Sequence, residues 1–239
     1  MPSTSRLLDR REIAGELMTF RLERPAGYEF RAGQFCFLEL PDLGFQGDRG
    51  LRRHLSLASS PTETDLLFGT RKSQSAFKQT LAALPLGSPI TIEEPRGSLA
   101  LPEDPSRPLV FLAGGIGITP FRSLLRYAAD SDTSHRVTLF YSNRRPEETL
   151  FLEDLLEIAR GHDTLRVLAT MTRMGESSEP WDGLTGRLTA ATIREHCPEW
   201  PESAFYLAGP PAMVETLEAV LQELGIDPSR IRPERFTGY

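Results

Sequence analysis

The sequence has 239 residues, enough for one large domain or two small ones. Hydrophobic residues make up 39% and charged residues 25%, and both signs of charge are interspersed, as in ordinary globular proteins. The formal net charge is −6 and no block of Lys and Arg stands out, which argues against a nucleic-acid partner. The two cysteines, Cys36 and Cys197, are too few for a disulfide framework or a four-thiolate iron–sulfur cluster, and we expect no metal site.

The N-terminus lacks the apolar run of a signal peptide, and no apolar stretch approaches the length of a membrane span. We therefore expect a cytoplasmic protein that neither enters nor binds a membrane. Nothing in the sequence indicates an oligomeric state.

Up to about residue 100, short apolar or alternating runs bounded by Gly or Pro predict an antiparallel β-barrel or sandwich. We expect strands over residues 35–40, 55–58 and 88–92. One helix is expected over residues 75–84, where apolar residues recur at helical spacing.

The polar, Pro-rich stretch 101–108 predicts a linker. After it, strands alternate with helices, which indicates a parallel sheet with crossover helices. The expected strands are 109–113, 137–141, 165–170, 205–208 and 231–236, and the expected helices are 121–129, 146–159, 189–195 and 211–224. The prediction is a two-domain chain, with an antiparallel β-barrel domain over residues 1–104 and a doubly wound α/β domain over 105–239.

A glycine-rich turn, Gly114-Gly115-Ile116-Gly117, follows the first strand of the α/β half and leads to Pro120 at the start of a helix. Glycines let a backbone approach a pyrophosphate, and the free N–H groups of a helix N-terminus favour its charge. The turn lacks the third glycine of the usual dinucleotide motif. A plain strand–helix turn is the alternative.

Two further segments follow later strands of this half. Arg144 and Arg145 come where an adenosine ribose would lie, and no acid appears before Glu147, which suits the 2′-phosphate of NADPH better than the ribose of NADH. Solvated loop arginines are the alternative. Gly209-Pro210-Pro211 gives a rigid turn at the ligand-binding edge of the sheet.

In the first half, Arg53 and Ser56 lie three residues apart on one strand, so they point to opposite faces and could reach a phosphate and a ring system. Ser75 would begin the only helix of that half, another seat for a phosphate. A charged barrel rim and an ordinary helix cap are the alternatives. At the other end of the chain, Tyr239 either frays or covers a flat cofactor.

Taken in this order, the motifs resemble the ferredoxin–NADP reductase superfamily from about residue 31 to Tyr239. The Arg-x-Tyr-Ser motif of that superfamily matches Arg53-His54-Leu55-Ser56 except at Leu55. Its Gly-Gly-x-Gly-x-x-Pro turn matches residues 114–120. Its Cys-Gly-Pro-Pro turn matches residues 208–211 except at Ala208.

The resemblance implies bound FAD, with FMN as the alternative, and a hydride passed from NAD(P)H. Arg144 and Arg145 make NADPH the expected donor in preference to NADH. The electrons would then leave to an acceptor such as a ferredoxin, a flavodoxin or an oxygenase partner. The resemblance also implies that Arg53 binds flavin phosphate, that Ser56 lies beside flavin N5 and that Thr119 lies near the nicotinamide.

The resemblance implies three sets of site residues. The catalytic set is Ser56, Thr119 and Tyr239. The flavin set is Arg53, His54, Leu55, Ser56, Thr70, Lys72, Ser75, Ala76, Phe77 and Tyr239. The NAD(P)H set is Gly115, Gly117, Ile118, Thr119, Pro120, Ser142, Asn143, Arg144, Arg145, Ala208, Gly209, Pro210 and Met213.

Three departures from the superfamily bear on the reaction. Leu55 replaces an aromatic residue that would stack on the flavin, and Ala208 replaces a cysteine beside the nicotinamide. No cysteine-rich iron–sulfur segment is present. The two substitutions keep a flavin-binding sensor or carrier with little turnover as an alternative. A dehydrogenase without flavin is a second alternative, which the all-β first half disfavours.

Overall fold

The structure is a computed structural model that describes residues 2–14, 16–47 and 50–236. It contains two six-stranded sheets that follow one another along the chain, the first antiparallel and the second parallel. Residues 101–108, predicted to be a linker, form neither helix nor strand. The predicted fold class is confirmed.

The antiparallel sheet and one helix form what we call the barrel unit. Its strand order is β4-β3-β6-β1-β2-β5, and within the described residues β4 and β5 share no strand hydrogen bonds, so the barrel is open between them. Helix α1 fills its interior with Phe77, Leu81 and Leu84. The elements are β1 Ser3–Ile13, β2 Leu17–Leu22, β3 Phe35–Glu39, β4 Arg52–Ser56, β5 Leu66–Arg71, α1 Ala76–Ala83 and β6 Pro89–Ile92.

Three of these strands, β1, β2 and β5, were absent from the predicted set. β1 carries charged residues such as Arg6, Asp9 and Arg11 among its apolar ones, because much of the strand faces solvent. An apolar period is therefore hard to see in the sequence. The strand predicted over residues 55–58 begins earlier and is β4, since Arg52 and Arg53 pair with β3.

The parallel sheet and four helices form what we call the α/β unit, with strand order β10-β9-β8-β7-β11-β12. Helices α2 and α3 cover one face and α4 and α5 the other, as in a doubly wound fold. The elements are β7 Leu109–Gly114, α2 Ile118–Asp130, β8 Val137–Asn143, α3 Leu152–Arg160, β9 Leu165–Met171, β10 Leu184–Thr185, α4 Ala190–His196, β11 Ala204–Gly209, α5 Pro211–Glu223 and β12 Ile231–Arg235.

The helix predicted over residues 146–159 is wrong in its first third. A 3-10 turn over Pro146–Glu148 ends where Thr149 donates its hydroxyl to the Pro146 carbonyl at 2.8 Å. Phe151 then takes a left-handed conformation with φ +60°, so α3 starts only at Leu152. The buried Leu150 amide donates to the Tyr141 hydroxyl, which holds the break against β8.

The two units share an apolar boundary. Leu17, Ala32 and Leu99 of the barrel unit and the segment after it pack in the same buried cluster as Phe121 and Leu124 of α2. The helices in the described part of the chain are all too short or too polar to cross a membrane. The same residues contain no grouping of His, Cys, Asp or Glu suited to hold a metal ion.

Candidate functional site

The candidate site lies where the strand order of the parallel sheet reverses. From β7 the chain builds outward through β8, β9 and β10, and then returns to the other side of β7 with β11 and β12. Open α/β sheets bind ligands at the carboxyl ends of their strands, at such a reversal. The turns that meet there are Gly114–Gly117 after β7 and Gly209-Pro210 after β11.

The glycine turn packs closely against β11 and α5. A Cβ on Gly117 would lie 2.1 Å from the Ala208 carbonyl oxygen, and one on Gly114 would lie 2.0 Å from the Met213 sulfur. Gly115 differs, because it takes φ +52° and a Cβ there would meet nothing within 4 Å. Two glycines therefore permit close packing, whereas the backbone of Gly115 faces open space.

That open space is a cleft of about 380 Å³ along the carboxyl edge of the sheet. Asn143 lies in its wall with 7% of its surface exposed, and its side-chain N–H group has no partner within the described residues. Buried polar groups are nearly always paired, so this amide fits a ligand acceptor. The lining residues are Arg71, Gly114, Gly115, Ser142, Asn143, Arg144, Glu148, Thr172, Arg187, Leu188, Pro210, Ala212, Met213, Thr216 and Leu217.

The charge in the cleft is mainly positive. Arg71, Arg144 and Arg187 line it, and none of these three has an ion pair within the described part of the chain. The lining carboxylate, Glu148, is already paired with Arg145. The cleft thus presents available guanidinium groups to an anionic ligand.

Arg145 is less available to an anionic ligand, because its guanidinium already has partners in the protein. It contacts Glu148, lies 3.6 Å from Glu147 and donates to the Glu176 carbonyl at 3.1 Å. Of the two arginines considered in the sequence, only Arg144 therefore lines the cleft.

Four other residues of the predicted NAD(P)H set lie behind the cleft surface. Ile118, Thr119, Pro120 and Ala208 are buried. The Thr119 hydroxyl donates to the Ile116 carbonyl at 3.0 Å, which stabilises the turn. These residues shape the site from behind, while Gly115, Gly117, Ser142, Asn143, Gly209, Pro210 and Met213 line it.

A second candidate seat for an anion lies at the N-terminus of α1 in the barrel unit. Ser75 caps this helix and accepts from the Lys78 amide at 3.4 Å. Behind the cap, Ala76 and Phe77 are buried, and the Arg53 guanidinium lies 5.9 Å from the Phe77 ring centroid. A helix N-terminus with arginine beside it favours a phosphate.

Lys78 adds a second cationic side chain to this seat, after Arg53. It is only 7% exposed, and burial, followed by the charges of Arg71 and Arg53, lowers the pKa of its ammonium to about 8. Mutual repulsion among cations that lie close together is relieved when an anion binds between them. Arg71 lies near this seat and also lines the cleft of the α/β unit.

The two faces of β4 differ in what they offer a flavin. Leu55 is 6% exposed and packs in the barrel core opposite Cys36, whereas His54 and Ser56 lie on the outer face opposite Phe37 and Phe35. The prediction that Arg53 and Ser56 point to opposite faces agrees with this register. Leu55 therefore contributes to the core more than to an outer surface.

Three further predicted flavin residues have distinct surroundings. Thr70 on β5 is fully buried, and its hydroxyl has no partner within the described residues. Lys72 instead forms an ion pair with Glu12 at the surface. Tyr239 lies outside the described residues.

Sequence reasoning missed several lining residues. Thr172 follows β9 as Arg144 follows β8 and could have been found by the same rule about strand ends. Arg187 comes after a long loop and gives no such indication. Arg71 belongs to the other unit, so its place in the cleft depends on how the two units pack.

Comparison with known proteins supports a nucleotide-binding assignment. Residues 111–219 match the family model described as the oxidoreductase NAD-binding domain. Ferredoxin–NADP reductase B of Sorangium cellulosum (strain So ce56) is 27% identical over 250 aligned positions, with 98% of each chain covered. The chain is similar to a ferredoxin–NADP reductase over nearly its whole length, and residues 111–219 match an oxidoreductase NAD-binding domain.

Two other proteins are similar to this chain in structure or in sequence. The crystal structure of a ferredoxin NADP+ reductase from Neisseria gonorrhoeae, with bound FAD and NADP, superimposes with a TM-score of 0.81 at 24% identity, covering 98% of both chains, and shows the same fold. The reductase component of propane 2-monooxygenase from Rhodococcus jostii (strain RHA1) is 26% identical over 232 residues, 93% of this chain. This chain spans only 60% of the length of that relative.

Proposed function

We propose that this chain is an oxidoreductase that binds FAD on the barrel unit, takes a hydride from NADPH in the cleft of the α/β unit and passes electrons to a protein acceptor. The observation that carries the proposal is the cleft at the strand-order reversal, which is lined by guanidinium groups without ion pairs in the described residues and by Asn143, whose buried amide nitrogen has no partner there. In this proposal residues 1–104 form the flavin domain and residues 105–239 the dinucleotide domain.

The residues of the barrel unit fit a flavin nucleotide. The N-terminus of α1 and the cationic side chains of Arg53 and Lys78 suit its phosphates. The buried Thr70 hydroxyl, without a partner in the described part of the chain, suits a polar edge of the ring. A bound flavin would supply the redox chemistry, accepting a hydride and releasing electrons.

The residues of the chain would position the reactants. Arg53 and Ser75 would hold the flavin phosphate, and Ser56 would donate a hydrogen bond at flavin N5. Gly115 and Gly117 would admit the dinucleotide pyrophosphate, and Thr119 would support the turn beneath the nicotinamide. Tyr239 is proposed to shield the flavin, a role carried by the sequence resemblance alone.

NADPH is proposed over NADH because Arg144 and Arg187 line the cleft without ion pairs among the described residues. The only acid in the lining, Glu148, is paired with Arg145 and is a poor partner for ribose hydroxyls. FMN in place of FAD is the alternative flavin, since no adenine contact can be identified from the described side chains.

The acceptor is proposed to be a protein, in keeping with the relative that is a reductase component of a monooxygenase and with the ferredoxin–NADP reductase relative. An oxygenase partner or a small redox carrier would each fit this class.

The test is an anaerobic absorbance titration of the purified protein with NADPH and then with NADH. We expect flavin bands that bleach rapidly with NADPH, and we expect Arg144→Ala and Arg187→Ala to reduce the NADPH/NADH ratio of kcat/KM. Arg145→Ala is the matched control and should leave that ratio unchanged. Bands that persist with both nucleotides would favour a flavin carrier, and protein that binds neither FAD nor FMN would refute the proposal.

A further inference from the structure

Arg122, in the first half of α2, joins the two units. It is 5% exposed, and its guanidinium donates to Glu63 of the barrel unit at 2.8 and 3.1 Å and to the Ala58 carbonyl at 2.8 Å. Its Nε donates to Asp154 of α3 at 2.7 Å. One buried cation is thus paired with one carboxylate from each unit.

Ser123 makes a second connection next to it. Its hydroxyl donates to the Ser59 carbonyl at 2.6 Å and accepts from the Gly33 amide at 3.4 Å. The Ser60 amide donates to Glu63 at 2.7 Å, which orders the loop that receives Arg122. We call Arg122, Ser123 and Glu63 the interunit clamp.

The clamp residues lie close in sequence to both proposed reactant sites. Ala58 and Ser59 lie two and three residues after Ser56, the last residue of β4. Arg122 and Ser123 follow three and four residues after Thr119 at the glycine turn. The clamp therefore connects β4, whose Ser56 is proposed to contact flavin N5, to α2, which begins at the proposed nicotinamide site.

A third contact fixes the same boundary from β5. A Cβ on Gly69 would lie 3.1 Å from the Thr119 methyl group and 2.9 Å from Leu150. The absence of a side chain at Gly69 therefore lets the turn of the α/β unit rest on the barrel strand. The clamp and this contact together leave little freedom for one unit to slide on the other.

The charges in the clamp depend on one another. Burial alone would lower the pKa of Arg122, but hydrogen bonding and charge interaction with Glu63, and then Asp154, raise it overall. Removing one partner of a buried ion pair leaves an uncompensated charge, whereas the complete set is satisfied. A buried pair of this kind can fix one arrangement of two surfaces.

We infer that Arg122, Ser123 and Glu63 are positioning residues that set the spacing between the flavin and the nicotinamide. The inference rests on the proposed function. Hydride transfer requires reacting atoms about 3–3.5 Å apart, and a misplacement of about 1 Å can lower a rate about 100-fold. The clamp touches neither reactant, so its effect would be on the rate of transfer and not on the binding of either nucleotide.

The test compares Glu63→Gln and Ser123→Ala with the parent protein in three measurements. The first is the limiting rate at which flavin bleaches after mixing with saturating NADPH, which we expect to fall about 10- to 100-fold. The second is the dissociation constant of 2′,5′-ADP, which lacks the nicotinamide and should stay within about twofold. The third is amide hydrogen exchange in flavin-free protein. Exchange at Ser60 should accelerate in Glu63→Gln, because a weaker acceptor replaces the carboxylate. Exchange at Gly33 should accelerate in Ser123→Ala, because this amide loses its acceptor.

Arg136→Met is the control, because Arg136 is an exposed arginine that pairs with Glu199 within the α/β unit. It should leave all three quantities unchanged. Arg122→Met is the harsher variant, and Glu63→Gln and Ser123→Ala keep the inference testable if Arg122→Met fails to fold.

Folded variants that bleach at the parent rate would overturn the inference, as would a slower rate explained by lost flavin or weaker 2′,5′-ADP binding. A parent protein that binds no flavin would instead overturn the proposed function. In that event, unchanged exchange at Ser60 and Gly33 would still count against the clamp.

Discussion

Gly117 lies so close to Ala208 that a Cβ on the glycine would be 2.1 Å from the alanine carbonyl oxygen. Both residues stand at the reversal of the strand order, one in the turn after β7 and the other near the end of β11. A backbone oxygen cannot move aside as a flexible side chain can. The turn therefore keeps its path only while residue 117 has no side chain.

Gly117→Ala should displace the turn and weaken both folding and dinucleotide binding. Such strain places the substitution among the severe core changes, which cost about 4–5 kcal/mol or more. Gly115→Ala is the comparison, because φ +52° is unfavourable for alanine but the space around it is open. Its expected cost is about 1–2 kcal/mol. Urea unfolding and 2′,5′-ADP binding would check both, and equal effects of the two variants would contradict the packing argument.

Arg71→Ala should raise KM for NADPH and for NADH by a similar factor, on the order of tenfold for one lost charge-assisted contact. Arg71 faces the cleft beside Gly114 and Gly115, at the turn proposed to hold a pyrophosphate that both nucleotides carry. Arg11→Ala is the control, since Arg11 is a surface residue paired with Asp9. A change in NADPH alone would place Arg71 at the 2′-phosphate, and loss of flavin would place it at the flavin phosphate.

Lys78 should titrate near pH 8 in the flavin-free protein, because burial and then the charges of Arg71 and Arg53 lower its pKa from 10.5 to about 8. Between these values the unfolded chain binds more protons, so the free energy of unfolding should rise with pH across that window. A phosphate favours the ammonium form, so flavin affinity should fall as the pH increases above about 8.

The sequence makes this titration easy to observe, since Lys72 and Lys78 are its only lysines. Reductive methylation with a ¹³C label keeps the charge and gives one NMR resonance for each lysine, apart from the N-terminus. Lys72→Met assigns the two resonances. Two lysines that titrate together in the usual range would refute the expected shift.

Leu55→Tyr, which would restore the aromatic residue of the superfamily motif, should destabilise the flavin-free protein by about 1–3 kcal/mol. The side chain is enclosed in the barrel core opposite Cys36, where added volume has no room. His54→Tyr, on the exposed face of the same strand, should change stability by less than about 0.5 kcal/mol. Unfolding curves of both variants would measure these changes in stability. If Leu55→Tyr had unchanged stability and quenched flavin fluorescence, the side chain would face the flavin.

Much of the fold could be predicted because local patterns and tertiary structure agree. The alternation of strands with helices after residue 108 indicated the parallel sheet, and Ser75 capped the barrel helix as expected. The outward strand β1 gave no apolar period, and the break at Phe151 depends on the hydrogen bond between Leu150 and Tyr141. Neither of these features is visible in the local sequence.

Some residues of the candidate site could likewise be predicted from the sequence, and others could not. The glycine turn and Arg144 could be found because their places follow from strand order, and they line the cleft. Arg145 could not be separated from Arg144, because only the folded chain brings Glu148 and the Glu176 carbonyl to it. Arg71 and the interunit clamp arise from the packing of one unit on the other, which short motifs do not encode.

The placement of Arg71 has a consequence for recombination between relatives. The α/β unit contributes all the cleft residues except this one, which arrives at the end of β5 in the barrel unit. A chimera that exchanges only the α/β unit would inherit the nucleotide preference of its donor, through the counterparts of Arg144 and Arg187. Its affinity for the part of the nucleotide shared by NADPH and NADH would still depend on Arg71 of the parental barrel.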